Sequence, residues 1–151
     1  MSFNKPAITA FTLKPKPLIP DPMDFLQPLM ILVAGPYRSG TNDQPEKIAA
    51  NVRQMEDVAL QIYQKGHLPV LGEWYALPLI ERAGSVEIGD DIFTDYFHPV
   101  AMRLLEKCDA VLRIGGPSHG ADEMIRLAQE SGKIVFLQAA DIPEVAAAVY
   151  S

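Results

Sequence analysis

The chain has 151 residues, of which 48% are hydrophobic and 21% charged, and it carries a formal net charge of −6. This length is enough for one domain with an ordinary hydrophobic core, and the composition is typical of a globular protein. The net negative charge argues against a nucleic acid polymer or an anionic membrane surface as the main partner.

The first segment of the chain, residues 1–28, differs from the rest in its density of proline. Of the 13 prolines in the chain it holds Pro6, Pro15, Pro17, Pro20, Pro22 and Pro28. Proline removes backbone donors and interrupts both helices and strand ladders. We therefore expect an extended N-terminal arm over residues 1–28 and a folded domain over residues 29–151.

Four apolar runs in that domain predict strands. They are Met30 to Ala34, Leu68 to Leu71, Ala110 to Ile114 and Ile134 to Leu137. Apolar residues at helical spacing predict helices between them. These helices span about Pro45 to Lys65, Ile92 to Lys107 (which Pro99 would kink or split), Asp122 to Ser131, and Pro143 to Tyr150. The alternation predicts an α/β fold: a single Rossmann-like or flavodoxin-like domain with a parallel sheet and helices on both faces.

The loop after the first strand reads Gly35-Pro36-Tyr37-Arg38-Ser39-Gly40. Its glycines permit close backbone approach, the Arg38 guanidinium suits a phosphate or a carboxylate, and Ser39 offers a hydroxyl. The loop is not a Walker loop, because no lysine–serine pair follows the second glycine. A ligand-binding loop and a plain connection with an exposed arginine both remain open.

The second strand leads into Gly72-Glu73-Trp74-Tyr75, which we expect to be a loop. Trp74 could stack on a base or a sugar while Glu73 accepts a hydrogen bond from a ribose hydroxyl. A lone tryptophan is more often an anchor of the core or of an interface, so for Trp74 we prefer a core position. The plain alternative for Glu73 is a residue that starts a helix.

The loop after the third strand, Gly115 to Gly120, contains three glycines and leads to Glu123. Ser118 and the backbone amides near Gly120 could bind an anion at the start of the next helix. Glu123 would lie in the first turn of that helix, where the helix dipole favours a carboxylate with or without a function. In a parallel sheet the three loops gather at one edge, which favours a functional site that includes Gly35, Gly116 and Gly120.

The remaining reactive side chains point to no metal or redox chemistry. Cys108 is the single cysteine, which excludes an intramolecular disulfide, and the three histidines lack metal-ligand spacing. His98 and His119 could exchange protons, but we expect both at the surface. With no apolar run of membrane-spanning length and no signal-peptide pattern, we expect a cytoplasmic protein that needs no cofactor and no metal.

Four segments carry a resemblance to the nucleoside 2-deoxyribosyltransferase-like superfamily. They are Ile31 to Tyr37, the helix from Ala49-Ala50-Asn51 to Gly66-His67-Leu68-Pro69-Val70, the strand from Cys108 to Leu112, and Ser118-His119-Gly120 through Glu123 to Gly132-Lys133. In order and spacing these segments resemble the opening strand and loop, the first helix with the second strand, the strand before the active-site loop, and the loop and helix of the catalytic glutamate.

The resemblance implies an enzyme that binds a nucleoside or a nucleotide and cleaves or transfers at its N-glycosidic bond. A glutamate would attack the anomeric carbon of the sugar, and water or another base would then resolve the ester. By this resemblance Glu123 is the nucleophile, Tyr37 holds it in place, and Arg38 and Ser118 bind the phosphate or hydroxyls of the sugar. Homo-oligomers are common in the family, so the resemblance implies one here.

The sequence departs from the family pattern at two places. Aligned without a gap from Ser118, the nucleophile position falls on Met124, one residue after Glu123. The family's aspartate, about two turns before the third strand, corresponds to Val100-Ala101-Met102, which holds no carboxylate. A module of the same fold that binds a nucleotide-like ligand without turning it over is therefore the alternative function.

Overall fold

The computed structural model describes residues 27–145, and within this range the fold is α/β with an all-parallel sheet of four strands. The strands are β1 (Met30–Ala34), β2 (Leu68–Val70), β3 (Ala110–Arg113) and β4 (Ile134–Phe136). Each lies within one residue of its predicted bounds. The predicted arm lies outside the described residues except for Gln27 and Pro28.

The strands lie in the order β2-β1-β3-β4, and each pairs in parallel with its neighbours. Leu32 of β1 lies opposite Val70 on one side and Val111 on the other. The chain leaves β1 toward β2 and later returns to the far side of β1 as β3. The order of connections therefore reverses between β1 and β3, whose carboxyl ends border the same crevice.

Alternating side chains of the strands form a hydrophobic core on each face of the sheet. Ile31 and Val33 pack on one face against Met55 and Ile62, whereas Leu32 packs on the other face. This second core also holds Val111, Met124, Ala128 and Leu105. Strands that are buried on both faces read as continuous apolar runs, which explains why the sequence located them.

The helices are α1 (Pro45–Gln64), α2 (Gly72–Arg82), α3 (Asp91–Lys107) and α4 (His119–Glu130). Helix α1 packs on one face of the sheet, and α3 and α4 on the other, as predicted. Helix α2 packs mainly on α3, where Ala76 and Ile80 contact Phe93. The carboxyl group of Asp90 caps α3 by accepting a hydrogen bond from the backbone N–H of Phe93 at 2.9 Å.

Two expectations about these helices are wrong, and of the two effects expected of Pro99 one does not occur. The predicted loop Gly72 to Tyr75 is the first turn of α2, because the backbone turns helical directly after Leu71. Pro99 does not split α3, which continues for 17 residues, and a kink at Pro99 stays a prediction. Helix α4 begins three residues before the predicted Asp122, because Ser118 caps it.

The predicted closing helix is not seen where the structure describes the chain. A single 3-10 turn, Ala139–Asp141, follows β4 instead, and residues 143–145 are not helical. The remainder of that prediction, residues 146–150, lies outside the described range. None of the helices in residues 27–145 combines the length and the hydropathy that crossing a bilayer requires.

Candidate functional site

A cavity of ≈ 170 Å³ lies at the carboxyl edge of the sheet, where the connections of β1 and β3 diverge. Its floor is the end of β1, with Leu32, Val33 and Ala34. Its walls come from the loop after β1, the start of α2, the middle of α3 and the start of α4. This is the usual position of ligand sites in open parallel sheets.

The loop after β1 enters the cavity because Gly35 lets it pass close to the loop after β3. A side chain on Gly35 would place its Cβ 3.1 Å from both the Cγ1 and the carbonyl oxygen of Ile114. On the other side of this contact Gly115 has a φ of +79°, and a Cβ there would lie 2.6 Å from Pro36 Cδ. Both glycines are thus required by the approach of the two loops.

Tyr37 lines the cavity from within a cluster of aromatic rings. Its ring centroid lies 5.0 Å from that of Phe97 and 6.4 Å from that of Phe93. Burial raises the pKa of the Tyr37 phenol, the charge of Glu73 raises it further, and Arg38 lowers it. The phenol is therefore a neutral hydrogen-bond donor at the wall of the site.

Arg38 also lines the cavity, but its guanidinium already holds a carboxylate. Its Nε and Nη2 donate to Oδ1 and Oδ2 of Asp43, each at 2.8 Å, and both side chains are 40% exposed. The guanidinium carbon lies 5.6 Å from the centre of the Phe93 ring. An incoming phosphate would have to share this guanidinium with Asp43 or displace the carboxylate from it.

Glu73 is the carboxyl group that the structure places in the cavity wall. It lies in the first turn of α2 and is 8% exposed. Burial raises the pKa of Glu73 to about 7, against the lowering effect of a hydrogen bond from its own backbone N–H. Since a buried carboxylate loses its hydration, the neutral acid becomes as stable as the charged form near neutral pH.

The start of α4 forms the wall opposite Glu73 with Ser118, Gly120, Ala121 and Met124. The hydroxyl of Ser118 accepts a hydrogen bond from the backbone N–H of Ala121 at 3.1 Å and so fixes the first turn. Met124, which the ungapped alignment from Ser118 would place at the nucleophile position of the resembled superfamily, is buried and lines the cavity with a thioether. This wall therefore offers a hydroxyl and apolar surface.

Glu123 is not among the residues that line the cavity. Its carboxylate is bound by Nε and Nη2 of Arg126 one turn later, and its side chain is 30% exposed. The pKa of Glu123 is lowered, first by the hydrogen bond with Arg126 and to a lesser degree by His98 and His119. The nucleophilic role that the resemblance gives Glu123 stays a prediction. In the structure this carboxylate forms an ion pair with Arg126 and lies outside the lining of the cavity.

Of the other site residues expected from the sequence, some line the cavity and some do not. Gly35, Tyr37, Arg38, Ser39, Glu73, Ser118 and Gly120 line the cavity, whereas Trp74 and Gly116 do not. Trp74 is also not a core residue, because it is 41% exposed, and its indole N–H donates to Oε2 of Glu56 at 2.9 Å. The carbonyl of Gly116 accepts from Arg113 at 2.9 Å.

Helix α3 contributes side chains to the site that were not predicted from the sequence. Phe97, His98 and Ala101 line the cavity. His98, which we expected at the surface, is half-buried and borders the site. The sequence pattern that could have indicated this contribution is the spacing of Phe93, Phe97 and Ala101, which lie four residues apart on one face of the helix. His98 directly follows Phe97 and borders the same cavity.

The arrangement can bind a small, largely apolar molecule and exchange a proton with it. Apolar atoms form most of the lining surface, and Glu73, Tyr37 and His98 are the groups that can give or accept a proton. Between residues 27 and 145 no cluster of three or more His, Cys, Asp or Glu is arranged to hold a metal ion.

Neither a scan against protein-family models nor a search of curated proteins finds a match to this chain. The resemblance drawn from the four sequence segments therefore stays a prediction. The position and the chemistry of the cavity are what point to a function.

Proposed function

We propose that the chain binds a nucleoside or a nucleotide in this cavity and cleaves or transfers at its N-glycosidic bond through a glutamate side chain. The observation that carries the proposal is a buried carboxyl group in a cavity at the switch point of a parallel sheet. Such a carboxyl can act in acid–base or covalent catalysis at an anomeric carbon. The aromatic and apolar lining suits a planar base.

The experiment is an assay for released base. The protein is incubated with deoxyribonucleosides, ribonucleosides and their 5′-phosphates, and the base is separated by chromatography. A second free base in the mixture distinguishes transfer from hydrolysis. Release of base above the rate of a blank without protein supports the proposal, whereas no release from any of these compounds contradicts it.

A second function, binding without turnover, is favoured by Met124. A thioether in the wall supplies neither a charge nor a proton, and the neighbouring Glu123 is held by Arg126. Calorimetry with the same compounds tests this function, since a binding module gives heat of binding without released base. The two functions thus make opposite predictions for one set of samples.

We further infer that the protein works in the cytoplasm as a homo-oligomer on a small-molecule ligand. The support is the resemblance, in which neighbouring subunits often complete the pocket, together with the acidic composition. Light scattering at several protein concentrations measures the oligomeric state. A monomer at all concentrations would contradict the inference.

A further inference from the structure

We propose that Glu73 is the acid–base catalyst of this site, donating a proton to the departing base and recovering one from the attacking water. The inference rests on the proposed function and assigns its chemistry to α2, away from the α4 position that the sequence resemblance favours. It goes beyond the binding role expected for Glu73, the acceptance of a hydrogen bond from a ribose hydroxyl.

The geometry singles out Glu73 among the acidic residues. Of the described residues that line the cavity, it alone carries a carboxyl group. The residue is only 8% exposed, and it borders the cavity. A molecule that fills the cavity therefore contacts this residue.

The packing of α2 fixes where that carboxyl group stands. The helix begins at Gly72, where a Cβ would lie 3.1 Å from the Cβ of Ala101 in α3. This close approach holds the first turn of α2 against the middle of α3. Ala76 and Ile80 continue the contact onto Phe93, so α2 packs along α3 from its first turn onward. A catalytic group on a packed helix is positioned more accurately than one on a free loop.

The groups around Glu73 allow it to hold a proton near neutral pH. The loop after β1 presents Tyr37, a neutral phenol, and Arg38, whose charge is shared with Asp43. Helix α3 presents His98, and α4 presents no titratable side chain to the cavity. Burial raises the pKa of Glu73 to about 7, against the lowering effect of a hydrogen bond from its own backbone N–H. An acid with such a pKa both donates and accepts a proton at working pH.

The reaction balances with Glu73 and one water. As the C1′–N bond breaks, its electron pair stays on the base. The carboxylic acid of Glu73 then gives that base a proton. The sugar is left as an oxocarbenium ion beside the Glu73 carboxylate. Water then forms the new C1′–O bond and returns a proton to Glu73. The products are the free base and the free sugar, and the enzyme is regenerated.

The test compares three variants with the wild type, using the substrate that releases base. Glu73→Gln keeps the size of the side chain and removes its proton exchange, so release should fall by roughly 10²–10⁴-fold. Calorimetry with the same compound should still show binding. Glu81→Gln changes an exposed glutamate in the last turn of the same helix and is the matched control. Glu123→Gln tests the carboxylate at the rim.

Each result decides between the possible assignments. Loss of release in Glu73→Gln alone, with kcat/KM of the wild type falling as the pH rises through about 7, supports the inference. Release that survives Glu73→Gln, or that is lost only in Glu123→Gln, overturns the role of Glu73 and leaves the proposed function standing. Absence of release from the wild type contradicts the proposed function itself, and the inference falls with it.

Discussion

Glu73 is an acidic side chain that the fold keeps away from water. Its carboxylate loses hydration on burial, and among the described residues no arginine or lysine forms an ion pair with it. A charged group in that position lowers the stability of the folded state. Proteins retain such groups where they serve binding or catalysis, so this residue is the strongest single indication of a site.

The raised pKa of Glu73 makes a prediction for stability. Between its ordinary value of 4.5 and about 7 the folded state binds more protons than the unfolded state, so the free energy of unfolding falls as the pH rises through this window. The full shift corresponds to roughly 3 kcal/mol. In urea unfolding, Glu73→Gln should therefore be more stable than the wild type by about 1–3 kcal/mol at pH 8 and no more stable at pH 4.

The control for this measurement is Glu81→Gln, which alters an exposed glutamate of α2. Its stability relative to the wild type should stay constant across the same range of pH. A Glu73→Gln variant whose stability advantage did not grow with pH would show that Glu73 titrates normally in the folded protein.

The pair of Arg38 and Asp43 leads to a prediction about phosphate. Asp43→Asn removes the competing charge while keeping a residue that tolerates the φ of 57° at this position. A guanidinium freed from its carboxylate should bind a 5′-phosphate better, with a gain of about 1 kcal/mol, or roughly fivefold in Kd. Calorimetry should show this gain for a 5′-nucleotide and not for the matching nucleoside.

Asp57→Asn, an equal change of charge on the exposed side of α1, is the control for the Asp43 experiment. It should leave both affinities unchanged. Both side chains of the pair are 40% exposed and solvent screens their attraction, so the loss of the pair should leave the stability almost unchanged. Equal effects of Asp43→Asn on the nucleotide and the nucleoside would place the phosphate elsewhere.

At the scale of elements, the start of α4 depends on one hydroxyl. Ser118 accepts a hydrogen bond from the backbone N–H of Ala121, one of the donors that a helix leaves without a partner in its first turn. Ser118→Ala should lower the free energy of unfolding by about 1 kcal/mol. Ser131→Ala, at the other end of α4, is the control and should cost less than about 0.5 kcal/mol. Equal losses for the two variants in urea unfolding would show that the hydrogen bond of the Ser118 cap adds nothing to the stability of the domain.

The elements also show what the sequence can predict. Strands β1 and β3 are buried on both faces, so their residues are uniformly apolar and their bounds are visible. Helix α2 was missed because it begins with glycine and contains Pro78, two residues that ordinarily indicate a break. The burial of Glu73 depends on the meeting of α2, α3 and the loop after β1. A contact between segments so far apart in sequence leaves no local pattern.

At the scale of the whole molecule, the sheet order decides where a ligand can bind. Strands β1 and β3 are neighbours, yet their chains leave in opposite directions, and the crevice between them admits side chains from α2, α3 and α4. This architecture explains why seven of the residues expected from three separate loops line one cavity. It also explains why Met124 both packs on the sheet and lines the cavity, because the first turns of α4 lie beside the crevice.

The ends of the described chain are joined by a buried histidine. The backbone N–H of Leu29 donates to Nδ1 of His67 at 3.0 Å, so the proton of the neutral ring lies on Nε2, which is 2.7 Å from the carbonyl of Pro143. The ammonium of Lys65 supports the same segment by donating to the carbonyls of Ala139 and Ile142. His67 thus links the start of β1, the start of β2 and the segment that follows β4.

His67→Ala should therefore destabilise the whole domain and not one element. The change leaves the Leu29 N–H and the Pro143 carbonyl without their partner, and an unsatisfied buried group costs about 1–3 kcal/mol. We expect a loss of roughly 2–5 kcal/mol in urea unfolding, with a single transition shifted to lower urea. His119→Ala removes an exposed histidine and should change stability by less than about 0.5 kcal/mol. If the two variants unfold at the same urea concentration, the link through His67 does not hold the fold together, and the segment after β4 is held by Lys65 and its own packing.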